Sequence, residues 1–119
     1  MGGIVFLKSE DPDSLRSFYL DSLECSMWLE QPDCLIFRKG NLIFGFCRRG
    51  AVDTEALLTF FYPSQAAVDA VFSRIEDVAE SRPEYNEKYR IYQFFARDPE
   101  GHRLEFQSFD HHLGPHLAG

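Results

Sequence analysis

The feature that most constrains this chain is an order of elements that runs through it twice. Each time, one short apolar strand leads into a helix, and three further strands follow. Gly3-Ile4-Val5-Phe6-Leu7-Lys8 reads as the first strand. Asp11 offers an N-cap, Pro12 suits the first helical position, and Asp13 adds a carboxylate where the helix dipole favours it. Leu15, Phe18, Tyr19 and Leu23 then recur at helical spacing, which predicts a helix over about 12–22. Strands are predicted at 25–29, 34–38 and 41–47, broken by Gln31-Pro32-Asp33 and by a tight turn at Lys39-Gly40-Asn41. Residues 50–55 read as a connector.

The order then restarts. Residues 57–62 (Leu-Leu-Thr-Phe-Phe-Tyr) form a strand, and Ser64 caps a helix whose stripe is Val68, Val71, Phe72, Ile75, Val78 and Ala79. Pro83 ends that segment. A weak strand at 85–89 and two strong ones at 90–97 and 102–109 follow. Asp98-Pro99-Glu100-Gly101 joins the last two, with proline and glycine placed as a type I turn requires. The expected fold class is α+β: one domain over 1–119, with module one at about 3–49, module two at about 55–109, and a tail at 110–119.

Composition narrows the partners. The net charge is −7, and only Arg48-Arg49 is locally basic. Nucleic-acid binding needs a basic stripe to meet phosphates, so no nucleic acid is expected. No apolar run reaches membrane-span length and the N-terminus lacks signal-peptide character, so no membrane partner and a cytoplasmic location are expected. Cys25, Cys34 and Cys47 are odd in number, have no CxxC spacing and sit among apolar residues, which reads as buried reduced thiols. The chain carries 12 Phe, 5 Tyr and 1 Trp, an unusual aromatic load; large rings dominate core burial and also line small-molecule pockets, and most of these are read as core.

Three stretches carry a resemblance. The run Phe95-Ala96-Arg97-Asp98-Pro99-Glu100-Gly101-His102-Arg103-Leu104-Glu105-Phe106 resembles the closing DPxGxxxE hairpin of the vicinal oxygen chelate superfamily. Asp11 with Ser17-Phe18-Tyr19 resembles the first helix of that superfamily, and Arg38-Lys39-Gly40-Asn41 its mid-module hairpin. The resemblance implies paired βαβββ modules forming a glyoxalase/bleomycin-resistance-like open barrel, with both sheets facing one pocket, and a homodimer. Its members include metal-dependent lyases and dioxygenases as well as metal-free antibiotic-binding proteins, so function has to be argued from the site.

The superfamily's enzymes hold a divalent metal with His, Glu or Gln from each module's first and last strands. The matching positions here are Ile4 and Leu57, which have no lone pair to give. Strand 42–47 offers only Cys47, leaving Glu105. One carboxylate does not hold a catalytic metal, so no metal and no cofactor are expected. His112 and His116 have chelating spacing, but Gly114-Pro115 between them argues against a helix; His111, His112 and His116 are read as a solvated tail, and His102 as exposed.

If Asp98–Gly101 is a plain four-residue turn, Arg97 opposes His102, Phe94 opposes Glu105 and Tyr92 opposes Gln107. Opposed residues share a face. If Glu105 points into the pocket, as the resemblance implies, Tyr92, Phe94, Arg103 and Gln107 point there too, and strand alternation adds Phe6, Thr59 and Phe61. The expected ligand-binding set is Phe6, Thr59, Phe61, Tyr92, Phe94, Arg103, Glu105 and Gln107, with Phe95, Leu104 and Phe106 against the helix. Arg103 and Glu105, two apart on one strand face, could pair on the surface or orient a ligand. The leading functional expectation is a metal-independent binder of an apolar or aromatic small molecule. The alternatives are a lyase or isomerase using Glu105 as a base or an atypical metal site, and a subunit acting through an exposed sheet surface.

Overall fold

A computed structural model describes residues 1–110. The expectations placed on His111, His112 and His116 lie outside the described residues. The chain divides into two compact units. The first is Met1–Ala56 together with Asp98–His102; the second is Leu57–Arg97 with the described residues from Arg103 on. The expected element order is present in both.

In the first unit, β1 (Val5–Ser9) precedes a helical segment and the meander β2 (Ser26–Gln31), β3 (Cys34–Lys39) and β4 (Leu42–Arg48). The sheet order is β1-β4-β3-β2, with β1 parallel to β4 and the other pairs antiparallel. Gly40, at φ +58°, takes the first position of the two-residue β3–β4 turn, a conformation glycine adopts without penalty. Beside β1, Asp53 in the connector donates its backbone N–H to the Lys8 carbonyl at 3.4 Å, and its carboxylate accepts the Lys8 N–H at 2.7 Å. The edge of β1 is thereby occupied rather than left as a template for another strand.

The first helical segment is not the regular helix the spacing predicts. It is a 3₁₀ turn at Pro12–Leu15 followed by a π-type turn at Phe18–Ser22. Adjacent rings Phe18 and Tyr19 both turn inward there, and both are buried. Tyr19 is the hub of the core, with ring centroids of Phe37, Phe44 and Phe46 at 5.2, 5.4 and 5.0 Å. Asp11 precedes the turn as expected but does not cap it with its side chain, which lies 3.4 Å from the Arg48 guanidinium instead.

The reduced-thiol expectation is corrected. Cys34 and Cys47 are register partners on β3 and β4, with Cα atoms 4.1 Å apart, and form a disulfide; Cys25 stays free and buried. Burial pushes the Cys25 thiol up to about 12, with Lys39 acting weakly the other way. Disulfides persist in oxidising compartments and are rare in the cytosol, so this pair does not support the cytoplasmic expectation. Among the described residues no helix is long and apolar enough to cross a membrane.

In the second unit, β5 (Leu57–Tyr62), α1 (Gln65–Ile75), β6 (Glu84–Asn86), β7 (Ile91–Arg97) and β8 (Arg103–Phe109) give the order β5-β8-β7-β6, with β5 parallel to β8. Ser64 caps α1 as expected, its hydroxyl accepting the Ala67 N–H at 3.1 Å. The helix buries Val68, Val71 and Ile75 and ends there, short of Val78 and Ala79. Phe94, Phe106 and Phe60 stack beneath it, at 4.9 and 5.5 Å between successive centroids.

Candidate functional site

The β7–β8 hairpin decides which side chains face which way, and its turn differs from the expectation. The Asp98–Gly101 hydrogen bond of a type I turn forms at 2.9 Å, but Gly101 then takes φ +95° and His102 joins the loop. The loop has five residues, so Arg97 pairs with Arg103, Phe95 with Glu105, Phe94 with Phe106, Gln93 with Gln107 and Tyr92 with Ser108. A shift of one residue moves the whole strand's side chains to the opposite faces. Tyr92 and Phe94 therefore lie on the helix side: Tyr92 donates its hydroxyl to Asp69 of α1 at 2.6 Å, and Phe94 packs edge-on to Phe72. Gln93 and Phe95 take the face expected for them.

Asp98 makes this loop. Its Oδ1 accepts the backbone N–H groups of Glu100 and His102, at 2.9 and 3.0 Å. Its Oδ2 accepts the Tyr19 hydroxyl at 2.7 Å and lies 2.8 Å from His102 Nδ1. His102 is 1% exposed, contrary to the expectation of a solvent position, with Nε2 2.7 Å from the Lys8 carbonyl. Both ring nitrogens face acceptors, which only the doubly protonated ring satisfies. Burial works against that charge, yet Asp98, the Lys8 carbonyl and the charge of Glu100 together hold His102 above its ordinary range. Glu100 completes the node, accepting from Ser9 Oγ and from the N–H groups of Glu10 and Asp11 at 3.0 and 2.9 Å.

On the face away from α1, a cleft of about 620 Å³ opens, walled by Leu57, Tyr85, Tyr89, Ile91, Phe95 and Gln93 among others. Glu105 sits in it, 8% exposed. Thr59 Oγ1 donates to Glu105 Oε1 at 2.9 Å, and Gln93 Nε2 donates to Oε2 at 2.6 Å. Asn86 Nδ2 donates to Gln93 Oε1 at 3.1 Å, which fixes the orientation of the Gln93 amide. Arg103 borders the cleft but forks onto Glu80, with both bonds at 3.1 Å, and lies 4.2 Å over the Phe95 ring. The fork holds Glu80 below the usual carboxylate range.

Of the expected set, Thr59, Arg103 and Glu105 come together here. Gln107 shares their face as the partner of Gln93 and Phe61, and the exposed Phe61 ring lies 6.2 Å from Phe109. Phe6, also exposed, borders a different cavity, in the first unit. Phe94 touches the cleft, but its ring belongs to the core. The residues missed are Gln93, Phe95, Tyr85, Asn86 and Tyr89. The signal for the first two was in the loop: an aspartate whose side chain captures two amides, ahead of a glycine at positive φ, lengthens the turn.

Two mixed four-stranded sheets, each with its first strand parallel to its last and a buried carboxylate on the final strand of the second, define the α+β class of paired βαβββ proteins. Solved structures give that class its name. The chain matches a lactoylglutathione lyase from Agrobacterium tumefaciens at 22% identity and TM-score 0.74, covering 88% of this chain and 90% of that one. It matches a glyoxalase/bleomycin resistance protein/dioxygenase from Alicyclobacillus acidocaldarius at 15% identity and TM-score 0.78, covering 93% and 92%. An integron cassette protein from the Halifax Harbour sewage outfall matches at 15% identity and TM-score 0.77, covering 92% and 98%. No protein-family model and no curated protein sequence matches the chain. The chain has the glyoxalase/bleomycin-resistance type of α+β fold.

That fold implies a metal in its enzymes, and the described residues do not fit one. Ile4 and Leu57 carry no donor and Cys47 is bonded to Cys34, which leaves Glu105 as the one side chain at these positions able to ligate. Among the described residues, no group of three or more His, Cys, Asp or Glu side chains could hold an ion.

Proposed function

We propose that this protein binds a flat or aromatic small molecule in the cleft of its second unit, without a metal. One observation carries the reading. A buried carboxylate, oriented by Thr59 and by the Asn86–Gln93 relay, stands in a cleft whose apolar wall is Leu57, Tyr85, Tyr89, Ile91 and Phe95 and whose polar rim includes Ser81, Glu84 and Arg103. Apolar walls with a few convergent polar groups are what small-molecule sites use, the walls giving affinity and the polar groups orientation. Glu105 is held as an acceptor, so the ligand presents it with an N–H or O–H donor, while Tyr85, Tyr89 and Phe95 offer ring faces.

The test is a thermal-shift screen of aromatic amines, amides and phenols, repeated on Glu105→Gln and Phe95→Ala. A ligand at ~100 times its Kd raises stability by about 2.7 kcal/mol. Hits are expected to lose their shift in both variants; hits indifferent to both refute the cleft. Elemental analysis of untagged protein ending at Phe109 tests the metal-free reading. A near-stoichiometric metal that disappears in Glu105→Ala overturns it and favours lyase or isomerase chemistry.

A further inference from the structure

The Cys34–Cys47 disulfide forms part of the wall of a separate cavity of about 450 Å³ in the first unit. Strand register sets Lys8, Cys47, Cys34 and Gln31 in one row across β1, β4, β3 and β2. Residues paired across strands share a face, so Lys8 stands beside the disulfide on the face where the cavity opens. Arg49 lines the same cavity, its Nη1 donating to the Arg48 carbonyl at 2.7 Å. Among the described residues Asp53 is the one carboxylate there, and it accepts the Lys8 backbone N–H. Two cations against one carboxylate make this cavity positive in a chain whose net charge is −7.

We propose that Cys34–Cys47 is an exchangeable disulfide, opened in this cavity by a small thiol that carries a carboxylate. Exchange needs access for the attacking sulfur and a leaving sulfur that is stable as thiolate. Cys34, at 9% exposure against 6% for Cys47, is the more open of the two. The incoming thiolate attacks Cys34 Sγ, the Cys34–Cys47 bond breaks, and its electron pair leaves on Cys47 Sγ. A nearby cation stabilises a thiolate, and Lys8 is the register neighbour of Cys47. Cys47 then takes a proton from water. A second thiol attacks the mixed disulfide at the outer sulfur, leaving as the oxidised small-molecule disulfide and returning Cys34 as a thiol. Two thiols supply the two electrons and the two protons. Lys8 and Arg49 attract the carboxylate of the incoming molecule.

The test uses the full chain carrying Cys25→Ser, so that only this pair reacts. Under native conditions it is treated with 3-mercaptopropionate or with the neutral 2-mercaptoethanol at equal thiolate concentration. Each rate is divided by that thiol's rate with hydroxyethyl disulfide, and intact mass reports the mixed disulfide and the reduced product. Both thiols are expected to open the bond, with the carboxylate thiol several-fold faster after normalisation. High salt should erase that advantage, as should Lys8→Gln with Arg49→Gln. Three results overturn the proposal: alkylation of Cys34 and Cys47 in native protein before any thiol is added, a bond that opens only in denaturant, or equal normalised rates for the two thiols. The rate ratio and its salt dependence are read on the parent chain, so they decide the matter even if the double variant misfolds.

Discussion

Phe94 and Phe95 are identical side chains at adjacent positions, and the five-residue loop gives them opposite surroundings. Phe94 is 1% exposed, stacked 4.9 Å from Phe106 and edge-on to Phe72 at 5.3 Å. Truncating a ring buried this way costs about 3–5 kcal/mol, a large part of the ~5–15 kcal/mol that holds a domain together. Phe95 is half-buried and lies under the Arg103 guanidinium. Its truncation forfeits a partly exposed cation–π contact of about 0.5–1 kcal/mol and a modest buried area. Urea unfolding followed by far-UV circular dichroism should therefore show Phe94→Ala as severely destabilised and Phe95→Ala close to wild type. Phe94→Leu provides a milder variant if Phe94→Ala does not fold. A Phe95→Ala cost equal to or above that of Phe94→Ala would mean that the strand carries the register of a four-residue turn, and the cleft described here would be wrong.

Asp98→Ala removes an acceptor of four hydrogen bonds and leaves a buried imidazolium without its carboxylate, so it should cost about 3–5 kcal/mol in the same assay; a loss below about 1 kcal/mol would refute the node. His102 is held above its ordinary value of about 6.5, so its contribution is complete below that pH and lost as pH rises through the folded value. The stability difference between wild type and His102→Leu should accordingly shrink as pH climbs through and above neutrality, and a difference that grows instead would reverse the sign of the argument. The exposed Val5, Phe6, Trp28 and Leu29 of the first sheet make a homodimer the expected assembly, and sedimentation showing only a ~14 kDa species at micromolar concentration would rule it out.

Much of the fold was legible because local signals agree with one another. Ser64 and the Val68, Val71, Ile75 stripe specify α1, and Gly40 specifies the β3–β4 turn. The disulfide was legible too: Cys34 lies six residues before that two-residue turn and Cys47 six after it, so the hairpin sets them opposite. Compositional reasoning about thiols missed what register arithmetic gives. Glu105 was set in the pocket by the resemblance, strand alternation put Thr59 on the concave side of its own strand, and the parallel register of β5 and β8 pairs the two. Gln93 and Phe95 could not be placed in this way. Both neighbours in Phe94-Phe95 are rings, so hydrophobic alternation does not say which one points inward, and the answer passes to the loop.

The sequence by itself determined the two βαβββ halves, the helix cap, the tight turn and the acidic residue on the last strand, because each follows from contacts a few residues apart or from the period of one strand. The tertiary structure decided the β7–β8 register, the burial of His102 and the partners of Glu105 and Arg103. Asp98 draws Tyr19, 79 residues away, and two loop amides onto one carboxylate, and that long-range hydrogen bonding adds the fifth loop residue. One residue in a loop reverses every side chain of the strand beside it, and only the packed core with its long-range hydrogen bonds determines which register forms.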